Sequence, residues 1–102
     1  MKLYIDDTRC LPEGYDILAR TYDAAQAILI TGRVTEVSFD HDLGDPHPMK
    51  NGYELAKWMV CQVMNGRMKL PACRVHSANP VGAENIRKYL IGYEKNFSEG
   101  EG

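Results

Sequence analysis

The segment VTEVSFDHDLG, residues 34–44, contains the clearest indication of the architecture of this chain. Its first half, Val34 to Phe39, is rich in apolar and β-branched residues and predicts a buried strand. Its second half changes to acidic residues, a histidine and a glycine, which is typical of a strand that ends in a surface loop. We therefore expect charged side chains at one edge of a β-sheet.

The same pattern occurs twice more. Residues 2–5 form a short apolar run that stops at Asp6-Asp7, and residues 73–75 form another that ends at His76-Ser77. Ile17 to Ala19 is a weaker strand candidate. The link that precedes it is too short for a full helix, whereas a parallel return usually needs a dozen or more residues. The direction of this second strand therefore stays open.

Three helices are predicted from apolar residues at three- and four-residue spacing. The first is capped by Thr21 and stops at Gly32, and the second begins after Asn51 and stops at Gly66. The third begins at Asn79-Pro80, where an N-cap residue precedes a proline. Their apolar stripes are Tyr22, Ala25, Ile28 and Leu29; Ala56, Met59, Val60, Val63 and Met64; and Ala83, Ile86 and Leu90.

Strands that alternate with helices predict a single α/β domain, which we assign to residues 1–97. We expect a mostly parallel sheet of four or five strands with helices on both faces. Residues 98–102 are polar, and we expect them to form a flexible tail. Ligands of such sheets bind at the carboxyl ends of the strands.

The composition excludes several functional classes. A chain of 102 residues has room for one domain, and its net charge of -2 argues against binding of duplex DNA. No apolar run approaches the roughly 20 residues needed to cross a bilayer. The apolar segment at the start, residues 1–5, is too short for a signal peptide, so we expect a cytoplasmic protein. The three cysteines lack the spacing of a zinc site and are expected to be reduced.

The acidic residues at the strand ends predict a metal site. If the strands are parallel, four carboxylates meet in one crevice, where their like charges oppose one another unless a cation compensates. Mg²⁺ or Mn²⁺ is the simplest choice because hard divalent ions take oxygen ligands. The alternative is that these acids are ordinary solvated turn residues. The predicted metal ligands are Asp6, Asp7, Asp40 and Asp42.

A phosphate site is predicted beside the metal. Ser77 and Asn79 stand at the start of the last helix, whose unpaired backbone N–H groups attract anions. Arg9 could reach over the site as a phosphate clamp. Each of the three has a simpler interpretation, since Asn79 could serve only as a helix cap and an arginine in a loop is often only solvated.

Four motifs taken together resemble the cyclic-phosphate-processing receiver-like domains, divergent relatives of response-regulator receiver domains. The resemblance extends from Leu3 to about Tyr89, and it implies a doubly wound α/β fold of the receiver-like (flavodoxin-like) kind. It also implies a role in processing cyclic phosphates, as in RNA repair or nucleotide metabolism. The motifs are Leu3-Tyr4-Ile5-Asp6-Asp7-Thr8-Arg9, Ser38-Phe39-Asp40-His41-Asp42-Leu43-Gly44, Asn51-Gly52-Tyr53 and Val75-His76-Ser77-Ala78-Asn79-Pro80-Val81-Gly82.

The chain also departs from ordinary receivers. These hold Mg²⁺ with an acidic pair after the first strand and a phosphate-accepting aspartate after the third, positions that Asp6, Asp7 and Asp40 match. No fifth strand with its lysine is evident, and the helix after the first strand is reduced. His76 precedes the serine expected after the fourth strand. These departures argue against phosphorelay signalling, and the added His41 and His76 favour hydrolysis instead.

We therefore predict metal-assisted opening of a cyclic phosphodiester, either a cyclic nucleotide or a cyclic-phosphate RNA end. His76 or His41 would act as general acid or base, and Asp40 could alternatively attack phosphorus directly. Two other functions stay open: a non-catalytic receiver-like module that binds a metal or nucleotide and regulates a partner, and phosphoacceptor signalling through Asp40. The sequence does not indicate an oligomeric state.

Overall fold

The computed structural model describes residues 1–93 with their side chains and continues the last helix to Glu101. Four strands and three helices make up this part of the chain. The tail predicted at residues 98–102 lies outside the residues described with their side chains and stays a prediction. In chain order the elements are β1 (Lys2–Ile5), β2 (Ile17–Ala19), α1 (Tyr22–Leu29), β3 (Glu36–Phe39), α2 (Gly52–Met64), β4 (Ala72–Val75) and α3 (Pro80–Glu101).

The four strands form one parallel sheet in the order β2-β1-β3-β4. The predicted α/β domain with a parallel sheet is thus confirmed, with four strands in the described part of the chain. β2 is parallel to β1, with Leu3 opposite Ile17 and Ile5 opposite Ala19. The link between them, residues 6–16, contains no helix. Its two ends are held by backbone hydrogen bonds, from Asp16 to Lys2 and from Asp6 to Ala19.

The helices lie on one face of the sheet, whereas the sequence predicts helices on both. α1 packs against α2 and α2 against α3, so the three form a single layer. β2–α1–β3 and β3–α2–β4 advance across the sheet in the same direction, and right-handed crossovers then put both helices on the same side. The link from β1 to β2 advances in the opposite direction and would put a helix on the other face, but it is a loop.

The core fills the space between this helical layer and the sheet. Alternate strand residues, including Leu3, Ile5, Val37 and Phe39, are fully buried against the helices. Burial of each such side chain contributes roughly 1.5–3 kcal/mol to stability. The residues between them point to the uncovered face, and these continue beyond the strands into the acidic residues and the histidine of the predicted site.

The helix boundaries follow local chemistry. The side chains of Thr21, Asn51 and Asn79 each accept a hydrogen bond from a backbone N–H three residues on, which confirms the three predicted helix starts. Gly32 and Gly66 follow the ends of the first two helices with φ of 76° and 73°, which glycine adopts without strain. Among the described residues no helix is both long enough and apolar enough to cross a bilayer.

Candidate active site at the carboxyl edge of the sheet

Three neighbouring strands bring Asp6, Asp40 and His76 together. Each of these residues directly follows its strand, and backbone hydrogen bonds from Asp40 to Ile5 (3.1 Å) and from His76 to Phe39 (3.0 Å) extend the ladder to them. Their side chains therefore leave the sheet in the same direction. Each offers one ligand atom, and these atoms lie within 4.8 Å of one another. We call these three residues the strand-end cluster.

The Asp6 carboxylate is the most heavily bonded group of the cluster, with 1% of the residue exposed. Oδ1 accepts hydrogen bonds from the backbone N–H groups of Thr8 (2.9 Å) and Arg9 (2.8 Å), and Oδ2 lies 3.0 Å from Nε2 of His76. Burial alone would raise the pKa of Asp6, but the hydrogen bonds from Arg9, Thr8 and His76 outweigh it and lower the pKa below its usual value. Asp6 is therefore ionised at neutral pH.

Asp40 is in the opposite electrostatic situation. It is 9% exposed, and burial raises its pKa. The negative charges of Asp6 and Asp7 raise the pKa further, while a hydrogen bond with the Ser77 side chain acts in the other direction, as His76 does when it is protonated. A positive charge placed beside Asp40 would relieve this destabilisation of the carboxylate.

His76 uses both ring nitrogens within the protein. Nδ1 lies 2.6 Å from Oγ of Ser38, Nε2 contacts Asp6, and the ring stacks on Tyr4 with centroids 4.0 Å apart and planes 11° apart. Burial lowers the pKa of His76 in spite of the neighbouring carboxylates of Asp6 and Asp40, so the imidazole is neutral at pH 7. Ser38 and Tyr4 were missed in the sequence, although both lie two residues before a cluster residue and thus on the same face of the sheet.

His41 and Asp42 form a separate pair. Nδ1 of His41 lies 2.9 Å from Oδ1 of Asp42, and the Asp42 side chain is 66% exposed. Within residues 1–93, Nε2 of His41 has no protein hydrogen-bond partner. The ring packs directly on Gly82 in the first turn of α3. Asp42, a predicted metal ligand, is thus directed to His41 and lies outside the strand-end cluster.

The remaining predicted residues surround the cluster. Asp7 lies beside it, close enough for its charge to raise the pKa of Asp40, and Oδ2 of Asp7 approaches Gly44. Arg9 is 49% exposed, donates to the backbone oxygen of His76 (3.1 Å) and pairs with Asp6 at 3.7 Å. Arg20 was missed in the sequence, and its guanidinium donates to the backbone oxygen of Arg9 (2.7 Å).

The two predicted phosphate ligands on the β4–α3 connection differ in availability. Ser77 hydrogen-bonds Asp40, and its Oγ also accepts from the backbone N–H of Asn79 at 3.1 Å. The Oδ1 atom of Asn79 accepts from the N–H of Gly82 at 3.0 Å, so Asn79 caps the helix as its simpler interpretation has it. These two contacts use the backbone N–H and Oδ1 of Asn79, so its side-chain N–H₂ can still donate to an anion.

Two glycines allow the close contacts around this site. A Cβ atom on Gly52 would overlap the backbone oxygen of Asp40 and lie 2.8 Å from its carbonyl carbon. Gly52 also donates its N–H to the backbone oxygen of His41 at 2.7 Å. A Cβ atom on Gly82 would overlap the ring of His41. The α2 and α3 starts therefore hold the loop after β3 from two sides.

Comparison with protein families adds an independent observation. Residues 1–92 match the model of a family described as the cyclic-phosphate processing receiver domain. The chain belongs to this family. The match includes all four strands, α1, α2 and the part of α3 up to residue 92, which confirms the resemblance seen in the motifs. Comparison with curated proteins found no match, and comparison with solved structures found none.

The donor set of this receiver domain fits a hard divalent cation. Asp6 and Asp40 present buried carboxylate oxygens a few ångströms apart, and Asp7 lies next to them. Carboxylate oxygens are the ligands that Mg²⁺ and Mn²⁺ prefer. Asp40 in particular is a buried acid whose ionised form two neighbouring negative charges oppose, and a cation would remove that conflict.

Proposed function

We propose that this receiver domain hydrolyses cyclic phosphodiesters with a divalent cation, Mg²⁺ or Mn²⁺, held by Asp6 and Asp40 with Asp7 alongside. The substrate would be a cyclic nucleotide or the cyclic phosphate at an RNA end. The observation that carries the proposal is the His41–Asp42 pair, which packs on the first turn of α3 directly after the buried Asp40. The family described as cyclic-phosphate processing supports the substrate class.

The acidic residues would supply the electrophilic part of the site. A divalent cation held by Asp6 and Asp40 would supply Lewis-acid chemistry, polarising a phosphoryl oxygen and lowering the pKa of bound water. Asp6 is suited to hold it because its carboxylate is ionised and its Oδ1 is fixed by two backbone N–H groups. The negative charge of the phosphate would be met by Arg9, by the amide of Asn79 and by N–H groups at the start of α3.

His41 is the better supported of the two candidate acid–base groups. With Asp42 accepting a hydrogen bond from Nδ1–H, the imidazole keeps a lone pair on Nε2 that can take a proton from the attacking water. The same proton can then be given to the sugar oxygen as the P–O bond of the ring breaks. His76 is less suited to this step because Ser38 and Asp6 engage both of its nitrogens.

The test is an assay of 2′,3′-cyclic nucleotides, 3′,5′-cyclic nucleotides and cyclic-phosphate RNA ends with Mg²⁺ or Mn²⁺. We expect turnover to fall at least 100-fold in His41→Ala, because general acid–base catalysis contributes about 10²–10⁴-fold. We expect a similar loss in Asp40→Asn, because it removes a ligand of the cation. His47→Ala is the matched control, since His47 lies exposed in the loop before α2. No turnover, or turnover that both site variants retain, would end the enzyme hypothesis.

The same preparations separate the two other functions. A small phosphodonor that leaves a stable phosphate on Asp40 would favour phosphoacceptor signalling. Metal or nucleotide binding without turnover would instead favour a regulatory module. The burial of Asp40 and its engagement by Ser77 make direct attack by its carboxylate the less favoured route.

A further inference from the structure

A hydrogen-bonded relay runs from the middle of β3 through His76 to Asp6. Oγ of Ser38 lies 2.6 Å from Nδ1 of His76, and Nε2 of His76 lies 3.0 Å from Oδ2 of Asp6. Both ends are buried, with Ser38 3% and Asp6 1% exposed. Tyr4 fixes the plane of the ring by stacking, and Tyr15 from the β1–β2 loop meets Tyr4 edge-on at 5.2 Å.

The hydrogen bonds at the two ends determine which ring nitrogen carries hydrogen. Oδ1 of Asp6 accepts from two backbone N–H groups and Oδ2 lies 3.0 Å from Nε2 of His76, so the carboxylate is the acceptor and Nε2 is the nitrogen that carries hydrogen. Nδ1 then has the lone pair, and the Ser38 hydroxyl, which can donate, is its partner. A ring nitrogen that carries hydrogen cannot bind a metal ion, and the other nitrogen faces the buried Ser38 hydroxyl on the uncovered face of the sheet.

We propose that Ser38 is a positioning residue that keeps His76 out of the metal's ligand set and leaves a site of carboxylate oxygens alone. This inference rests on the cation site of the proposed function and refines it. His76 would act one shell away by orienting the Asp6 carboxylate. Oxygen-only sites select Mg²⁺ and Mn²⁺, whereas a site that includes an imidazole also favours Zn²⁺. Ser38 thus determines which class of cation this site accepts.

The opposite tautomer of His76 also satisfies the Ser38 contact, and it makes a different prediction. If His76 instead carried its hydrogen on Nδ1 and donated it to Ser38, Nε2 could coordinate the metal beside Asp6 and Asp40. The two arrangements differ in the tautomer of one ring and in whether nitrogen binds the metal. Both differences can be measured without any turnover.

Long-range ¹H–¹⁵N NMR of the full chain identifies the tautomer, and the three histidines can be assigned from His41→Gln and His47→Gln. We expect His76 with hydrogen on Nε2 in the metal-free protein. After addition of Mn²⁺, pulsed EPR should detect no directly bound ¹⁴N. Hydrogen on Nδ1, a directly bound ¹⁴N that disappears in His76→Ala, or no binding of Mn²⁺ would each overturn the proposal.

The Ser38→Ala variant tests the positioning role. We expect a mixture of tautomers at His76 and about tenfold weaker Mn²⁺ binding, because His76, the outer-shell partner of Asp6, loses its fixed orientation and loss of such a partner typically costs 10–100-fold in metal affinity. Thr31→Ala, which removes a hydroxyl from an exposed site after α1, should change neither. An unchanged tautomer and affinity in Ser38→Ala would overturn the role of Ser38. Should the relay behave as expected while no cyclic phosphate is hydrolysed, only the proposed function would fail.

Discussion

Replacement of Gly82 by alanine tests whether the packing of the His41 ring on α3 matters for function. The added Cβ atom would overlap Cγ of His41 and lie 2.7 Å from Cδ2, whereas carbon atoms pack at about 3.5–4.0 Å. The ring must therefore move by roughly 0.8 Å or more. Because a misplacement of about 1 Å can cost around 10²-fold in rate, we expect turnover to fall about 100-fold while the fold is retained.

The stability of this variant reflects two opposing effects. Alanine in a helix is favoured over glycine by up to about 1 kcal/mol, and overpacking against His41 costs typically 1–3 kcal/mol. Gly92→Ala is the matched control, because it makes the same change on the same helix and its Cβ atom meets nothing within 4 Å. Comparison of the two by urea unfolding removes the helix effect and leaves about 1–3 kcal/mol for the contact.

The assay pairs urea unfolding with turnover of a 2′,3′-cyclic nucleotide for both variants. Gly92→Ala should keep full turnover and unfold at slightly higher urea. Gly82→Ala should be less stable than Gly92→Ala and nearly inactive. If the two variants agree in both stability and turnover, then the contact between α3 and His41 has no role in seating the ring.

Three further predictions concern stability. Gly52→Ala should lower the free energy of unfolding by about 3 kcal/mol or more. The reason is that its Cβ atom would overlap the backbone oxygen of Asp40, and backbone cannot move aside as a side chain can. A loss below about 1 kcal/mol in urea unfolding would contradict this prediction. Asp40→Asn should stabilise the metal-free protein at pH 7, because the amide removes the charge that burial and the neighbouring carboxylates oppose. Because the pKa of Asp40 is raised in the folded state, the wild-type protein loses stability as the pH rises through this folded-state pKa. The gain from Asp40→Asn should therefore disappear in acid, below the unfolded pKa of about 3.9. A gain of equal size at pH 3 would show that the buried charge of Asp40 is not its cause. Addition of Mg²⁺ or Mn²⁺ at 100 times its Kd should stabilise the wild-type protein by about 2.7 kcal/mol in thermal unfolding, and an equal effect on Asp40→Asn would place the cation elsewhere.

The strand-end cluster could be predicted because it depends only on simple rules of parallel sheets. Strands that run in the same direction end at the same edge, and the residues just beyond them are easily read from a change from apolar to polar. Asp6, Asp40 and His76 meet for this reason. Ser38 also follows a rule, since it lies two residues before Asp40 and shares its face, but a serine within a strand carries no sign of chemistry by itself.

Other features depended on contacts that the sequence does not encode locally. The direction of β2 is set by backbone hydrogen bonds with β1 across a loop of turn-forming residues, and no periodic pattern reports them. Asp42 and His41 are adjacent in sequence, so their side chains could face the cluster or each other. Gly82 has no side chain and so leaves room for the His41 ring to pack against α3, where it pairs with Asp42.

The loop that replaces a helix between β1 and β2 also builds part of the site. In this loop the N–H groups of Thr8 and Arg9 turn back to the Asp6 carboxylate, as the first N–H groups of a helix do toward an N-cap side chain. The same loop carries Arg9 to the backbone oxygen of His76 and places Tyr15 against Tyr4 on the face that no described helix covers. The β1–β2 loop therefore supplies the donors that lower the pKa of Asp6 and the arginine that lies beside the strand-end cluster.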